Sequence, residues 1–253
     1  MTSEAEPVTA RELGELSDRL ISVQSRVRAS APAGRSIRLI AVSKGQPASL
    51  VRALYGLGQR DFGENYVQEL VQKTAVLADL PDLRWHMIGH LQRNKVKLVV
   101  ASAAAVHSVD SPALAEELGR RLAGREVPSL RRAFGDDPRL PVLIEVSIAG
   151  EAQKDGCQPA ALAALLGVAE RTPGLRLVGL MCVPPLTDDP SATRPYFDAL
   201  ARLREAHGGA ARLPELSMGM TADFEQAISA GATVVRVGTA LFGPRPARAA
   251  KAG

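Results

Sequence analysis

RLIAVSKGQPASLVRALYGLGQRDFGENY, residues 38–66, outlines a strand, a helix and a second strand. The first run, 38–44, is apolar on both faces and rich in β-branched residues, as a strand covered on both sides should be. A helix then opens at Pro47, whose fixed φ suits a first helical turn, and closes at Gly58. The second run, DFGENY at 61–66, follows it. A helix joining two such runs implies that the strands pair in parallel.

Working outward, six more runs repeat this grammar: RWHMIGH (84–90), AVHSVD (105–110), PVLIEVSI (141–148), RLVGLMCV (176–183), ELSMG (215–219) and VVRVGTA (234–240). Each but the last precedes helix signals, such as Ser111-Pro112 before Leu114, Leu118 and Leu122. Eight βα units close naturally into a barrel, so the predicted class is α/β, a single (β/α)8 TIM barrel. An open doubly wound sheet is the alternative. Before the barrel, Thr9 and Glu12 form a capping box ahead of Leu13, Leu16, Leu20, Val23 and Val27 at helical spacing, which predicts an extra N-terminal helix. Residues 1–253 are predicted to form one domain with unstructured tails at 1–8 and 245–253. REVPSLRRAFGDDPRLP, residues 125–141, mixes both charge signs with Gly and Pro and predicts a long surface loop.

Composition narrows the function. The chain is 46% hydrophobic with mean hydropathy near zero, as a soluble globular domain requires. Its net charge of +4 is scattered and only 4% of residues are aromatic, which argues against a nucleic-acid partner. Cys157 and Cys182 lack CxxC spacing, which argues against zinc and against a disulfide framework and suits a reducing cytoplasm. The acidic start MTSEAEPVTA and the lack of any apolar stretch near ~18 residues predict neither export nor a membrane span. A monomer is expected.

In such a barrel ligands bind at the carboxyl ends of the strands. Lys44 ends the first strand and shares parity with Ile40 and Val42, which points it toward the interior. Desolvation there favours the neutral amine that attacks an aldehyde; the alternative is a lysine snorkelling to solvent. Ser217-Met218-Gly219 and Gly238-Thr239 close the last two strands with small residues, where this architecture commonly holds phosphate, although ordinary tight turns have the same composition. Arg236, between Val235 and Val237, also faces inward by parity. Its partner is either an inward carboxylate, Glu64 or Glu145, or a ligand acceptor. Asn65 ends the second strand and either meets a ligand or caps the next helix. The four histidines show no metal-ligand spacing and are assigned no metal role, and Trp85 and Met87 read as packing.

IAVSK (40–44), FGENYVQEL (62–70), WHMIGHLQRNK (85–95), HSVDS (107–111), GLMCVPP (179–185), LSMGMTADFEQAI (216–228) and VRVGTALFG (235–243) closely resemble the pyridoxal phosphate homeostasis protein family, relatives of the N-terminal barrel of alanine racemase. The resemblance implies a barrel of that type with pyridoxal 5′-phosphate (PLP) as cofactor, held as a Schiff base on Lys44. It further implies that Ser217, Met218, Gly219, Gly238 and Thr239 surround the phosphate, that Arg236 approaches the pyridine nitrogen and that Asn65 contacts the ring region. Two departures stand out: Gly45-Gln46 after the lysine, expected to loosen that loop, and the length of the 125–141 connection.

The expected role is PLP storage and delivery within the cell, with apo forms of PLP-dependent enzymes as recipients and no turnover. A racemase needs a second base from an added domain, and only about ten residues follow the barrel, below the ~50 of a small domain. An arginine at the ring nitrogen also disfavours protonation and makes a poorer electron sink. The rivals are a PLP enzyme with racemase-like activity and a Schiff-base aldolase in the same fold.

Overall fold

The eight runs become eight parallel strands closed in sequence order: β1 Arg38–Val42, β2 Asp61–Glu64, β3 Arg84–Met87, β4 Ala105–Val109, β5 Leu140–Glu145, β6 Leu175–Met181, β7 Glu215–Ser217 and β8 Val234–Val237. Strand β8 returns to pair with β1, placing Ile40 opposite Arg236, and this pairing rules out the open sheet. The computed structural model describes residues 8–128, 132–150, 155–185 and 187–244. The expected tails, except Val8, lie outside the described residues.

Helices cover the strands: α1 Ala10–Ser30, α2 Ala48–Gly56, α3 Val67–Val76, α4 Val96–Val99, α5 Pro112–Leu122, α6 Leu162–Arg171, α7 Arg194–Ala206, α8 Gly209–Arg212, α9 Phe224–Ser229 and α10 Thr239–Phe242. The leading helix α1 starts at the expected capping box: the Glu12 amide donates to Thr9 Oγ1 at 3.2 Å, and Glu12 Oε2 accepts from the Thr9 amide at 2.8 Å. Its stripe of Leu16, Leu20, Val23 and Val27 is buried, while Leu13 stays exposed. It lies against α9 and α10, where the Arg26 guanidinium meets Glu225 at 2.8 Å. None of the helices among the described residues is long and apolar enough to cross a membrane.

Strand parity sorts the core into two clusters. Residues such as Ala41, Phe62, Trp85, Val106, Ile144 and Val235 face the helices. Ile40, Ala105, Leu143, Val178, Met181 and Val234 form a smaller cluster within the barrel. The 125–141 connection corrects the expected surface loop. Its Ala133 and Phe134 are buried in that inner cluster, and the Phe134 ring lies 4.8 Å beneath the Arg38 guanidinium. Arg38, Asp61 and Arg84 begin their strands, so Phe134 closes the barrel at its amino-terminal floor.

Candidate functional site

Lys44 lies in the turn two residues beyond the end of β1, and the backbone on both sides of it is gripped. The buried Lys73 ammonium on α3 donates to the Ser43 carbonyl at 2.6 Å, and the Gly45 amide donates to Glu69 Oε2 at 2.7 Å. Glu64 Oε1 accepts from both Lys73 Nζ and the Ser43 hydroxyl, each at 2.6 Å. Gly45 takes φ +70°, a conformation that glycine adopts without steric cost. The loop expected to be loosened by Gly45-Gln46 is instead a clamped turn, with the Gln46 amide bonded to Ser43 O at 3.0 Å. Glu64 points outward to α3, not inward to Arg236, and burial raises its carboxyl pKa against the lowering by Lys73.

Lys44, Gly238 and Thr239 meet around a small cavity of about 30 Å³ that Val42, Gln46 and Gly243 complete. The other residues expected at the phosphate divide. Gly219 turns the chain at φ +89°, and a Cβ there would come within 2.6 Å of Ala227 Cβ. The Met218 amide is already spent on Val234 O at 3.1 Å, and its side chain lies in the helix-facing core. Ser217 sends its hydroxyl into the barrel interior. Thr221 ties the last two turns together by accepting from the amides of Gly238 and Ala240 at 3.3 and 3.4 Å.

Arg236 faces inward and is buried. Among the described residues no carboxylate lies within ion-pair distance of it. Its Nη1 donates to Ser217 Oγ at 2.7 Å and its Nη2 to the Cys182 carbonyl at 2.9 Å. From Ser217 a buried line runs down the barrel: Ser217 Oγ to His107 Nδ1 at 2.9 Å, His107 Nε2 to His86 Nδ1 at 3.0 Å, and His86 Nε2 to Asp61 Oδ1 at 2.9 Å. Asp61 is held by Arg84 at 2.8 Å and Arg38 at 3.1 Å. Burial opposes ionisation of Asp61, but the bonds from His86 and Arg84 outweigh it and hold the carboxyl far below its usual range. Burial lowers both histidines, His107 well below its ordinary value, with His86 and Arg236 adding to the effect.

Glu145, inward-facing at the end of β5, is 7% exposed and has no side-chain hydrogen bond among the described residues. Burial, with Asp155 and Asp110 behind it, pushes its carboxyl up to about 7 while Arg236 opposes. Asn65 does not cap α3, whose N-cap residue is Tyr66. Its buried Oδ1 has no partner among the described residues, so the amide is set for an acceptor role that the protein leaves unfilled. Cys157 and Cys182 are free and buried, with thiols raised by burial to about 11 and about 12, and so inert as nucleophiles.

A closed parallel barrel with a clamped lysine after its first strand and an inward arginine on its last belongs to the alanine racemase class, and residues 19–246 match the family described as alanine racemase, N-terminal domain. Within it, the chain belongs to the pyridoxal phosphate homeostasis protein family. It is 43% identical over 242 residues to the pyridoxal phosphate homeostasis protein of Pseudomonas aeruginosa, covering 92% of this chain and 97% of that protein. The Aquifex aeolicus protein of the same name is 41% identical over 234 residues, 90% of this chain and 97% of the relative. Among solved structures, PipY of Synechococcus elongatus with PLP bound is similar at a TM-score of 0.74 and 38% identity, over 90% of this chain and 100% of PipY.

Proposed function

We propose that this chain holds PLP as a Schiff base on Lys44 and serves intracellular PLP storage and delivery to apo enzymes, without turnover of its own. The carrying observation is the clamp: a lysine whose flanking backbone is fixed by Lys73 and Glu69, opening onto a cavity shared with Gly238 and Thr239. The relatives' name and the PLP in PipY support the same reading. The residues fit the cofactor. Asn65 offers an unfilled amide oxygen, and Lys44 stands beside the small-residue turn of Gly238 and Thr239, where backbone can approach a ligand closely.

When bound, PLP supplies an aldehyde for the lysine and a ring that can accept electrons. Lys44 would hold the aldehyde carbon, Gly219, Gly238 and Thr239 would hold the phosphate, Asn65 would contact the ring region and Arg236 would stand at the ring nitrogen. Of the earlier phosphate set, Ser217 and Met218 contribute through the turn they build. An arginine stays charged, so it keeps a neighbouring ring nitrogen unprotonated and favours holding the cofactor over carbanion chemistry. We take the site of action to be the cytoplasm, with the monomer as the working unit.

The test is borohydride reduction of the PLP-loaded full chain, followed by peptide mapping and a screen of amino acids for turnover. A pyridoxyl adduct on the Lys44 peptide, lost in Lys44→Ala, with no turnover near a typical enzymatic ~1 s⁻¹, is expected. An adduct confined to another lysine overturns the site. Robust turnover that needs Lys44 overturns the carrier role.

A further inference from the structure

Asp61, His86, His107, Ser217 and Arg236 come from five different strands and form one buried hydrogen-bonded line from the barrel floor to its mouth. The direction of every proton in the line follows from its lower end. Asp61 lies between Arg38 and Arg84 and is ionised, so it can only accept. His86 must therefore carry its proton on Nε2. A neutral imidazole has one ring proton, which leaves His86 Nδ1 an acceptor and makes His107 Nε2 the donor to it. His107 Nδ1 is then an acceptor, and the only proton available to it is that of the Ser217 hydroxyl. Ser217, its proton spent, accepts from Arg236 Nη1.

Two other arrangements fail on charge. Reversing the line needs a protonated Asp61 between two guanidiniums. Charging His86 adds a cation to a floor that already holds Arg38 and Arg84, with the Phe134 ring edge-on at 5.8 Å and no water-facing side.

We infer that Asp61, His86 and His107 are positioning residues whose fixed proton order makes the Ser217 hydroxyl an acceptor for Arg236 and so holds that guanidinium at the barrel mouth. The Ser217 hydroxyl has no proton left for an anion, so its side chain serves the arginine and not the phosphate. The effect on bound PLP rests on the proposed placement of Arg236 at the ring nitrogen. The proton order does not.

The first test therefore uses the full-length apo chain, labelled with 15N and read by long-range 1H–15N correlation between pH 6.5 and 8. His86 and His107 are both expected as neutral Nε2–H tautomers. An Nδ1–H form or an imidazolium at either position overturns the inference. The second test compares His107→Phe with His107→Gln, whose amide can accept from Ser217 and donate to His86. In His107→Phe the pH midpoint of the PLP absorption band is expected to move by about one pH unit, the scale of one charge-assisted hydrogen bond, with inorganic phosphate affinity held within about twofold. His107→Gln is expected to restore the midpoint. An unmoved midpoint, or a loss of phosphate affinity as large as the loss of PLP affinity, overturns the role. If PLP fails to attach to Lys44, the proposed function fails while the tautomers still decide the relay. They also decide it if His107→Phe does not fold.

Discussion

At the scale of single residues, Glu145 shows how strand parity alone can place a charge against its interest. The alternation along β5 turns Leu143 and Glu145 inward, and the carboxyl arrives at the mouth with Asp110 and Asp155 as neighbours. Its pKa in the fold, about 7, exceeds its ordinary 4.5, so the folded chain holds a proton that the unfolded chain releases. Stability tied to this group is therefore present below pH 4.5 and lost as pH rises to 7. At about 1.4 kcal/mol per pH unit the penalty above pH 7 reaches at most roughly 3.5 kcal/mol. Glu145→Gln should raise the melting temperature of the apo chain by several degrees at pH 8 and by little at pH 5, at about 2–4 °C per kcal/mol for a chain of this size. Equal melting at pH 8 would mean that the carboxyl is solvated. Lys44 and Arg236 were legible in the sequence because a charge inside an apolar run stands out locally. His86 and His107 face inward by the same parity, yet their partners lie 21 and 110 residues away in sequence, and only barrel closure brings them together.

At the scale of elements, the first βαβ unit is both a piece of fold and the mount for the lysine. Helix α3 carries a buried Lys73 that nothing in its local sequence marks out. Its role depends on β1 and β2 ending side by side, which puts Ser43 and Glu64 beneath it. The 125–141 connection was misread for a related reason. Gly, Pro and charge marked it as exposed, while the one aromatic that plugs the floor, Phe134, carries no periodic signal. Lys73→Met removes one partner of a buried pair and strands the Glu64 carboxylate, so it should cost about 3–5 kcal/mol. Adding Glu64→Met removes the stranded charge and should recover most of that loss, because a buried pair replaced by apolar groups of similar size is often neutral. Urea midpoints of the apo chain measure both. A double variant no more stable than the single one would show that the loss comes from the Ser43 loop and not from the charge.

At the scale of the whole molecule, the closed barrel makes stability depend on pH with a sign that can be worked out. Burial keeps the folded values of His86 and His107 below the ordinary 6.5. Below pH 6.5 the unfolded chain takes up protons that the folded chain refuses, so stability falls on acidification by about 1.4 kcal/mol per pH unit for each histidine until its folded value is reached. Glu145 acts in the opposite sense between 4.5 and about 7, gaining stability at the same rate as pH falls. Asp61, depressed below its ordinary 3.8, loses its contribution only at lower pH and stays outside this window. Burial raises Glu64 as well, so its slope adds to that of Glu145. The Glu145→Gln chain should therefore lose stability more steeply than the parent as pH falls from 6.5 to 5, by up to about 1.4 kcal/mol per pH unit, the slope of one proton. Urea unfolding at pH 8, 6.5, 5.5 and 5 reads both slopes. A Glu145→Gln chain whose slope is no steeper than that of the parent would mean that Glu145 holds no extra proton in the fold.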